Sequence, residues 1–238
     1  FETGSLVSFN STWRFDRSGS GQPLEWFQSR HLPNNTWEQG PAPIGRETGN
    51  LPIPLRTAWS SAEYSAQITS YYFETDFNVT IDQLRQTDEL LLSHQIDDGA
   101  IFYLNGKAVG RFNMPEGPSS PDQLASPTVS NAIVRTISIP VGALRTGQNL
   151  LSVETHQGSS SSSDMVFGVS LETIIKTSNG SEGTPYRNSR NQWIEIANRT
   201  NQNINLDGWE FSDGVDFEFE QGTFLGPGEH ACIANDRD

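Results

Sequence analysis

Ile101-Phe102-Tyr103-Leu104-Asn105-Gly106-Lys107-Ala108-Val109 decides the fold class. Runs of β-branched and aromatic residues flank Asn105-Gly106, and Asn-Gly tolerates the positive φ angles that both central residues of a type I′ turn require. The stretch is therefore predicted to be a β-hairpin. The same texture extends outward: Leu6–Phe15, Ile68–Val79, Leu90–Ile96, Ala100–Leu104, Lys107–Asn113, Val134–Ile139, Asn149–His156 and Met165–Ile174 each carry β-branched or aromatic residues and are bounded by Gly, Pro, Asn or Asp. Helical periodicity is almost missing, and the longest candidate, Ile81–Leu92, reads as a short turn followed by the start of a strand. These eight runs predict an all-β chain that forms an antiparallel sandwich or barrel.

Val141-Gly142-Ala143-Leu144 after Pro140 reads as one helical turn, and Thr146-Gly147-Gln148-Asn149 as a tight turn into the next strand. Between Gln28 and Tyr64 lies a Pro- and Gly-rich stretch with Trp37 and Trp59, too long for an idle connector. Long loops on a sandwich are where binding concentrates. After Ile175 the composition turns polar, and new strands are predicted at Gln192–Asn198, Ile204–Phe211, Asp216–Phe219 and Glu229–Ala234. The expected organisation is a larger β domain over 1–175, a linker over 176–191 and a smaller β unit over 192–238.

The chain has 238 residues, room for one large domain or a full domain plus a smaller one. Acidic residues outnumber basic ones 29 to 15, a net charge of −14 with no Lys/Arg cluster. Nucleic acid is a poor partner, since phosphate binding needs a basic footprint, and an anionic membrane is disfavoured for the same reason. No run approaches the ~18 apolar residues of a spanning helix. A start at Phe1 rather than Met suggests a processed or excised chain. The single cysteine, Cys232, excludes an internal disulfide and any multi-Cys metal centre. Few lysines and abundant Asn, Gln, Ser and Thr fit a secreted or cell-surface bacterial module. Sequons at Asn10, Asn34, Asn78, Asn179 and Asn198 would accept glycans in a eukaryotic secretory route.

Ordered blocks carry a resemblance: Ser11-Thr12-Trp13-Arg14-Phe15, Trp37-Glu38-Gln39-Gly40-Pro41-Ala42-Pro43-Ile44-Gly45, Asp97-Asp98-Gly99-Ala100-Ile101-Phe102-Tyr103-Leu104-Asn105-Gly106, Arg111-Phe112-Asn113-Met114-Pro115, and Asn149-Leu150-Leu151-Ser152-Val153-Glu154-Thr155-His156-Gln157. Across about residues 6–174 the chain resembles the galactose-binding-domain-like jelly-roll modules appended to secreted bacterial proteins, which implies that the domain over 1–175 is a jelly-roll β-sandwich of eight or nine strands. Residues 192–238 resemble the lamin-tail domain, an immunoglobulin-like sandwich, through Trp193-Ile194-Glu195-Ile196-Ala197-Asn198, Leu206-Asp207-Gly208-Trp209-Glu210-Phe211 and Leu225-Gly226-Pro227-Gly228-Glu229. That resemblance implies further strands after Asp238, hence a longer parent protein.

No nucleophile elbow, His-Glu-x-x-His, Walker loop or Gly-x-Gly-x-x-Gly is present. Of the four histidines only His156 has an acidic neighbour on its own strand face, Glu154 two residues away. Such a pair is either half of a metal or acid–base site or, as favoured here, a hydrogen-bonded anchor for loop backbone. His94 shares the parity of Leu90, Leu92 and Ile96 and is expected to pack inward or to sit at the sheet edge. Asp97, Asp98 and Asp164 lie at strand ends, and hard oxygen ligands from separate loops are what Ca²⁺ takes. The competing reading is Asx-turns. Asp213, Asp216, Glu218 and Glu220 alternate with Phe217 and Phe219 as a solvated strand face.

Sugar recognition uses aromatic rings that stack on a pyranose, with a few polar groups for its hydroxyls. Trp26, Arg56, Trp59 and Tyr64 are the candidate ligand-binding residues, whereas Trp13, Trp37, Trp193 and Trp209 are assigned to core. The expected function is a non-catalytic, extracellular accessory module that binds a neutral glycan or polysaccharide within a larger secreted protein. The alternative is a protein-interaction or spacer segment without a small ligand.

Overall fold

The computed structural model describes residues 2–34, 36–64, 67–175, 193–211 and 217–234. The chain divides into two compact units, Phe1–Thr177 and Ser178–Asp238. The expected linker over 176–191 lies outside the described residues.

Among the described residues the first unit runs β1 (Glu2–Val7), β2 (Thr12–Asp16), β3 (Trp37–Pro41), β4 (Ile44–Arg46), β5 (Thr57–Ala58), β6 (Ser70–Val79), β7 (Glu89–Asp97), β8 (Gly99–Leu104), β9 (Lys107–Phe112), β10 (Val134–Ile139), β11 (Gly147–His156) and β12 (Met165–Ile175). Two six-stranded sheets form a jelly-roll sandwich, one ordered β10-β7-β12-β4-β5 with β1 also on β12, the other β3-β2-β6-β11-β8-β9. Every pair is antiparallel except β4 with β5. The sheets meet over a core in which Phe73 stacks on Phe167 from the opposite sheet, centroids 3.7 Å apart, and Trp13 meets Phe167 edge-on at 4.8 Å.

The Asn105-Gly106 hairpin forms as expected, with φ of 52° and 81° at its two central residues. The long β6–β11 pairing, from Gly147↔Val79 to His156↔Ser70, sets the faces of the second sheet. Alternation sends Tyr71, Phe73 and Phe77 into the core between the sheets and Tyr72, Glu74 and Asp76 to the outer face. That outer face is where the candidate site lies.

The run Leu6–Phe15 is two strands, broken by a turn in which Ser11 N–H donates to Ser8 O at 2.9 Å and Ser8 N–H to Ser11 Oγ at 3.0 Å. The Pro- and Gly-rich stretch is not one binding loop, since it supplies β3, β4 and β5. Strands of two to five residues next to Pro and Gly show no alternation long enough to read, which is why the sandwich has twelve strands rather than eight or nine. Ile81–Gln86 is a short helix, α1, closed by a capping box in which Thr80 Oγ1 accepts from Gln83 N–H and Gln83 Oε1 accepts from Thr80 N–H.

In the second unit β13 (Trp193–Ala197) pairs with β18 (His230–Ala234), β14 (Ile204–Asn205) with β17 (Phe224–Leu225), and β15 (Glu210–Phe211) with β16 (Phe217–Glu218). Leu206, Phe219, Leu225 and Ile233 form its core. Trp209, assigned to core from its strand-like context, is 55% exposed: it precedes the two-residue β15 and follows the Asp207-Gly208 turn, outside the alternation. The Trp193 side chain, Asp213 and Asp216 lie outside the described residues, while Glu218 and Glu220 are exposed beside buried Phe219. The Asn198 sequon is closed to glycans, because Asn198 is 2% exposed and its amide donates to Gln202 O and Leu225 O. No helix among the described residues is long and apolar enough to cross a membrane.

Candidate functional site

The outer face of the second sheet carries its own aromatic cluster. Tyr72 from β6, Ile101 and Tyr103 from β8 and Trp37 from β3 point outward, and Trp26 covers them from a 3₁₀ turn, Trp26–Gln28, in the excursion between β2 and β3. Trp26 meets Tyr72 edge-on at 5.1 Å, and Phe27 stacks on Tyr103 at 4.0 Å, 7° from parallel. Between this turn and the segment after β9 opens a cavity of about 290 Å³, walled by Leu24, Trp26, Phe27, Tyr103 and Pro118 and reaching Glu154.

Glu154, on β11, is 4% exposed and gathers three donors, with the His156 ring beside them. Trp26 Nε1–H reaches Oε2 at 3.3 Å, Tyr103 O–H reaches Oε1 at 3.2 Å, the Ser119 hydroxyl also donates to Oε1, and His156 Nε2 stands 3.3 Å from Oε1, off the line of a well-directed hydrogen bond. Burial pushes its carboxyl up, but His156, Ser119 and Trp26 outweigh that and hold it below the ordinary carboxylate value. The same burial, with the Glu154 charge, raises the Tyr72 and Tyr103 phenols. The cavity therefore ends on a fixed anion within neutral aromatic walls.

His156 Nδ1 faces Gln123 O at 2.8 Å and Ser70 Oγ at 3.1 Å. Ser70, His156 and Glu154 thus stand in the order of a nucleophile relay, yet Ser70 Oγ donates to Pro121 O at 2.5 Å and is buried, and neither Ser70 nor His156 lines the cavity. A nucleophile needs its proton on the base and its oxygen facing substrate. The geometry instead fastens the loop at Pro121–Gln123 to the sheet.

The candidate set Trp26, Arg56, Trp59 and Tyr64 is not brought together. Trp59 is 5% exposed in the core between the sheets, 5.9 Å from Phe15 and 5.6 Å from Tyr71, with the Arg17 guanidinium 5.1 Å over its ring. No face of that ring is left for a sugar. The half-buried Tyr64 hydroxyl lies 2.9 Å from the Ser162 and Asp164 carbonyls, and Arg56 is exposed apart from the cavity. Phe27, Tyr72 and Tyr103 replace them around Trp26. For Tyr72 and Tyr103 outward parity on predicted strands was the available signal, but strand aromatics read as core by default; for Phe27 it was the place beside Trp26.

Asp97 and Asp164 do meet, and the third carboxylate beside them is Glu47, the three offering oxygens within 4.8 Å of one another. Asp98 turns elsewhere: Oδ1 accepts Val129 N–H at 2.5 Å and Oδ2 accepts Gly158 N–H at 2.6 Å, the turn-type use of an aspartate. Burial first, then the neighbouring acids Asp98, Asp164 and Glu47, push the Asp97 carboxyl well up, and Asp164 is raised by burial and by Glu47 and Asp98. Mutual repulsion of this kind is what a hard divalent cation relieves, so the donor set Glu47, Asp97 and Asp164 fits calcium in chemistry. Glu47 arrives only through the β4–β12 pairing of Arg46 with Met165.

Residues 168–238 match the Lamin Tail Domain family model, a span that starts earlier than the sequence resemblance, inside β12. Among solved structures the chain is similar to a β-glucuronidase of an uncultured Clostridium sp. (16% identity, TM-score 0.44, 74% of this chain and 29% of that one). It is also similar to Bacteroides uniformis β-glucuronidase 2 (14%, TM-score 0.45, 100% and 28%) and to β-D-mannosidase from Dictyoglomus thermophilum (14%, TM-score 0.36, 66% and 16%). The chain spans less than a third of the length of each. No curated protein matches it.

Proposed function

We propose that the first unit is a non-catalytic carbohydrate-binding module of a larger secreted protein, and that the cavity at Trp26, Phe27 and Tyr103 takes a pyranose. The observation that carries this reading is the cavity itself: aromatic walls for the apolar face of a sugar, ending on the ionised carboxylate of Glu154. Its volume of about 290 Å³ suits one ring rather than a long polymer segment. Glu47, Asp97 and Asp164 hold a structural Ca²⁺ in this reading, remote in role from the sugar. A second reading, protein attachment, is favoured for the second unit by its lamin-tail match together with exposed Trp209 and Phe224.

A glycan array tests the first reading. Leu24 is 69% exposed on the cavity wall, so Leu24→Asp alters the site without touching the core. Binding to neutral glycans that falls in Leu24→Asp and Phe27→Ala supports the proposal. No binding across plant, algal and microbial polysaccharides overturns it and leaves the attachment reading.

A further inference from the structure

Beside the aromatic cavity, across the hairpin tip, lies a second and smaller cavity of about 140 Å³. The two share a ridge: Gly106 lines the first and Asn105 the second, while Gln28, next to Trp26 and Phe27 in the 3₁₀ turn, lies against Gly106 and lines the second. A ligand unit in one cavity is thus one step from the other.

The hydrogen-bonding capacity left in the smaller cavity is mostly donor. Asn105 and Asn149 are spent, since Asn105 Nδ2 donates to Ala143 O and Asn149 Oδ1, and Asn149 Nδ2 donates to the Arg145 and Gly147 carbonyls. Arg30 is anchored by Nε at 3.1 Å from Asp76, and Arg145 by Nε donating to Gln148 O at 2.9 Å. Their terminal amino groups, and the side-chain amides of Gln28 and Gln148, have no partner among the described residues. The one lining carboxylate, Asp76, is already met by Arg14 Nη1 at 2.8 Å as well as by Arg30. Two guanidinium forks held at their necks with free tips are suited to a planar or tetrahedral oxyanion.

We infer that this second cavity is an oxyanion subsite, in which Arg30 and Arg145 bind the carboxylate or sulfate of an acidic sugar unit adjacent to the one held at Trp26. The inference rests on the carbohydrate reading and refines its neutral-glycan expectation. The net charge of −14 belongs to the whole surface, but at physiological salt the field is screened over about 8 Å, so the groups lining the cavity set its preference.

Three measurements decide it. In NMR titrations of the full chain, D-glucuronate shifts the Nε–H resonances of Arg30 and Arg145, whereas D-glucose does not. Absence of any glucuronate shift overturns the inference whatever the fate of the carbohydrate reading. In calorimetry, trigalacturonate binds roughly tenfold tighter than its methyl ester, which keeps the sugar and removes the charge. That preference disappears in Arg30→Gln/Arg145→Gln while binding of the ester is retained. Equal affinity for acid and ester, or a preference surviving both substitutions, overturns it. Inorganic sulfate is the control for a free ion. Shifts as large from sulfate, with no gain for the trisaccharide, overturn the sugar-borne form. If neither trisaccharide binds, the sugar-borne form of the inference is overturned, the glucuronate titration still judges the oxyanion site, and the glycan array alone judges the carbohydrate reading.

Discussion

Glu74→Leu removes the acid that holds the site-bearing excursion to the sheet. Glu74 is fully buried on the outer face of β6 and accepts from Arg14 Nε at 2.7 Å and from His31 N–H at 2.6 Å, with His31 Nδ1 at 2.9 Å. His31 in turn stacks on Trp37 at 4.2 Å, in the cluster that contains Trp26. Without Glu74, Arg14 keeps only Asp76 while its side chain remains 9% exposed. Breaking one partner out of a buried ion pair costs about 3–5 kcal/mol, because an uncompensated charge stays buried. For a domain of this size each kcal/mol moves Tm by roughly 2–4 °C, so the transition of the first unit should fall by roughly 6–20 °C in calorimetry. Replacing both residues, Arg14→Met with Glu74→Leu, removes the stranded charge, and the double variant should lose less than the sum of the single losses by about 1 kcal/mol or more. A single-variant loss under about 1 kcal/mol, or strict additivity, refutes the reasoning.

Glu154→Gln should flatten the acid limb of stability. The folded carboxyl lies below its ordinary value, so its contribution is complete above the unfolded value and is lost as pH falls through the folded one; a wild-type and variant Tm–pH series that run parallel below pH ~5 would contradict this. Asp97 has the opposite sign: its folded carboxyl is raised, so without metal the wild type loses stability as pH rises from the ordinary carboxylate value toward the folded one. Asp97→Asn should therefore be the more stable protein at pH 8 in chelator, and calcium should raise the Tm of the wild type but not of the variant; no calcium shift with metal-stripped protein ends the calcium proposal. Trp59→Ala should lower stability by about 3–5 kcal/mol in urea unfolding, as a core cavity does, and leave glycan affinity of the folded fraction unchanged.

The long strands were legible because each alternates over six or more residues: Val134–Ile139 coincides with β10, and Asn149–His156 and Met165–Ile174 fall within β11 and β12. The short ones were not, since Ile44–Arg46 and Thr57–Ala58 owe their place to pairing with distant strands rather than to local pattern. His94 packs inward between Phe102 and Phe112, as its parity with Leu90, Leu92 and Ile96 requires. The site was half legible. Trp26 and Glu154 drew attention through residue type, but their meeting over 128 positions depends on how the β2–β3 excursion folds back over the sheet. Trp59 misled because a tryptophan in a Pro-rich stretch looks like a loop residue, whereas the hydrogen bond from its backbone N–H to Gly45 O holds it beside β4, with its ring in the core. Glu47 could not be assigned to the acidic cluster without the β4–β12 pairing.

Ala108, exposed on β9 opposite Tyr103, lines the mouth of the aromatic cavity, so Ala108→Trp fills the cavity from outside without disturbing the sheet. Calorimetric titration of a glycan that binds the wild type into this variant tests the location of the site most directly. Loss of binding at unchanged Tm is the expected result, and undiminished affinity in the plugged protein would contradict the account.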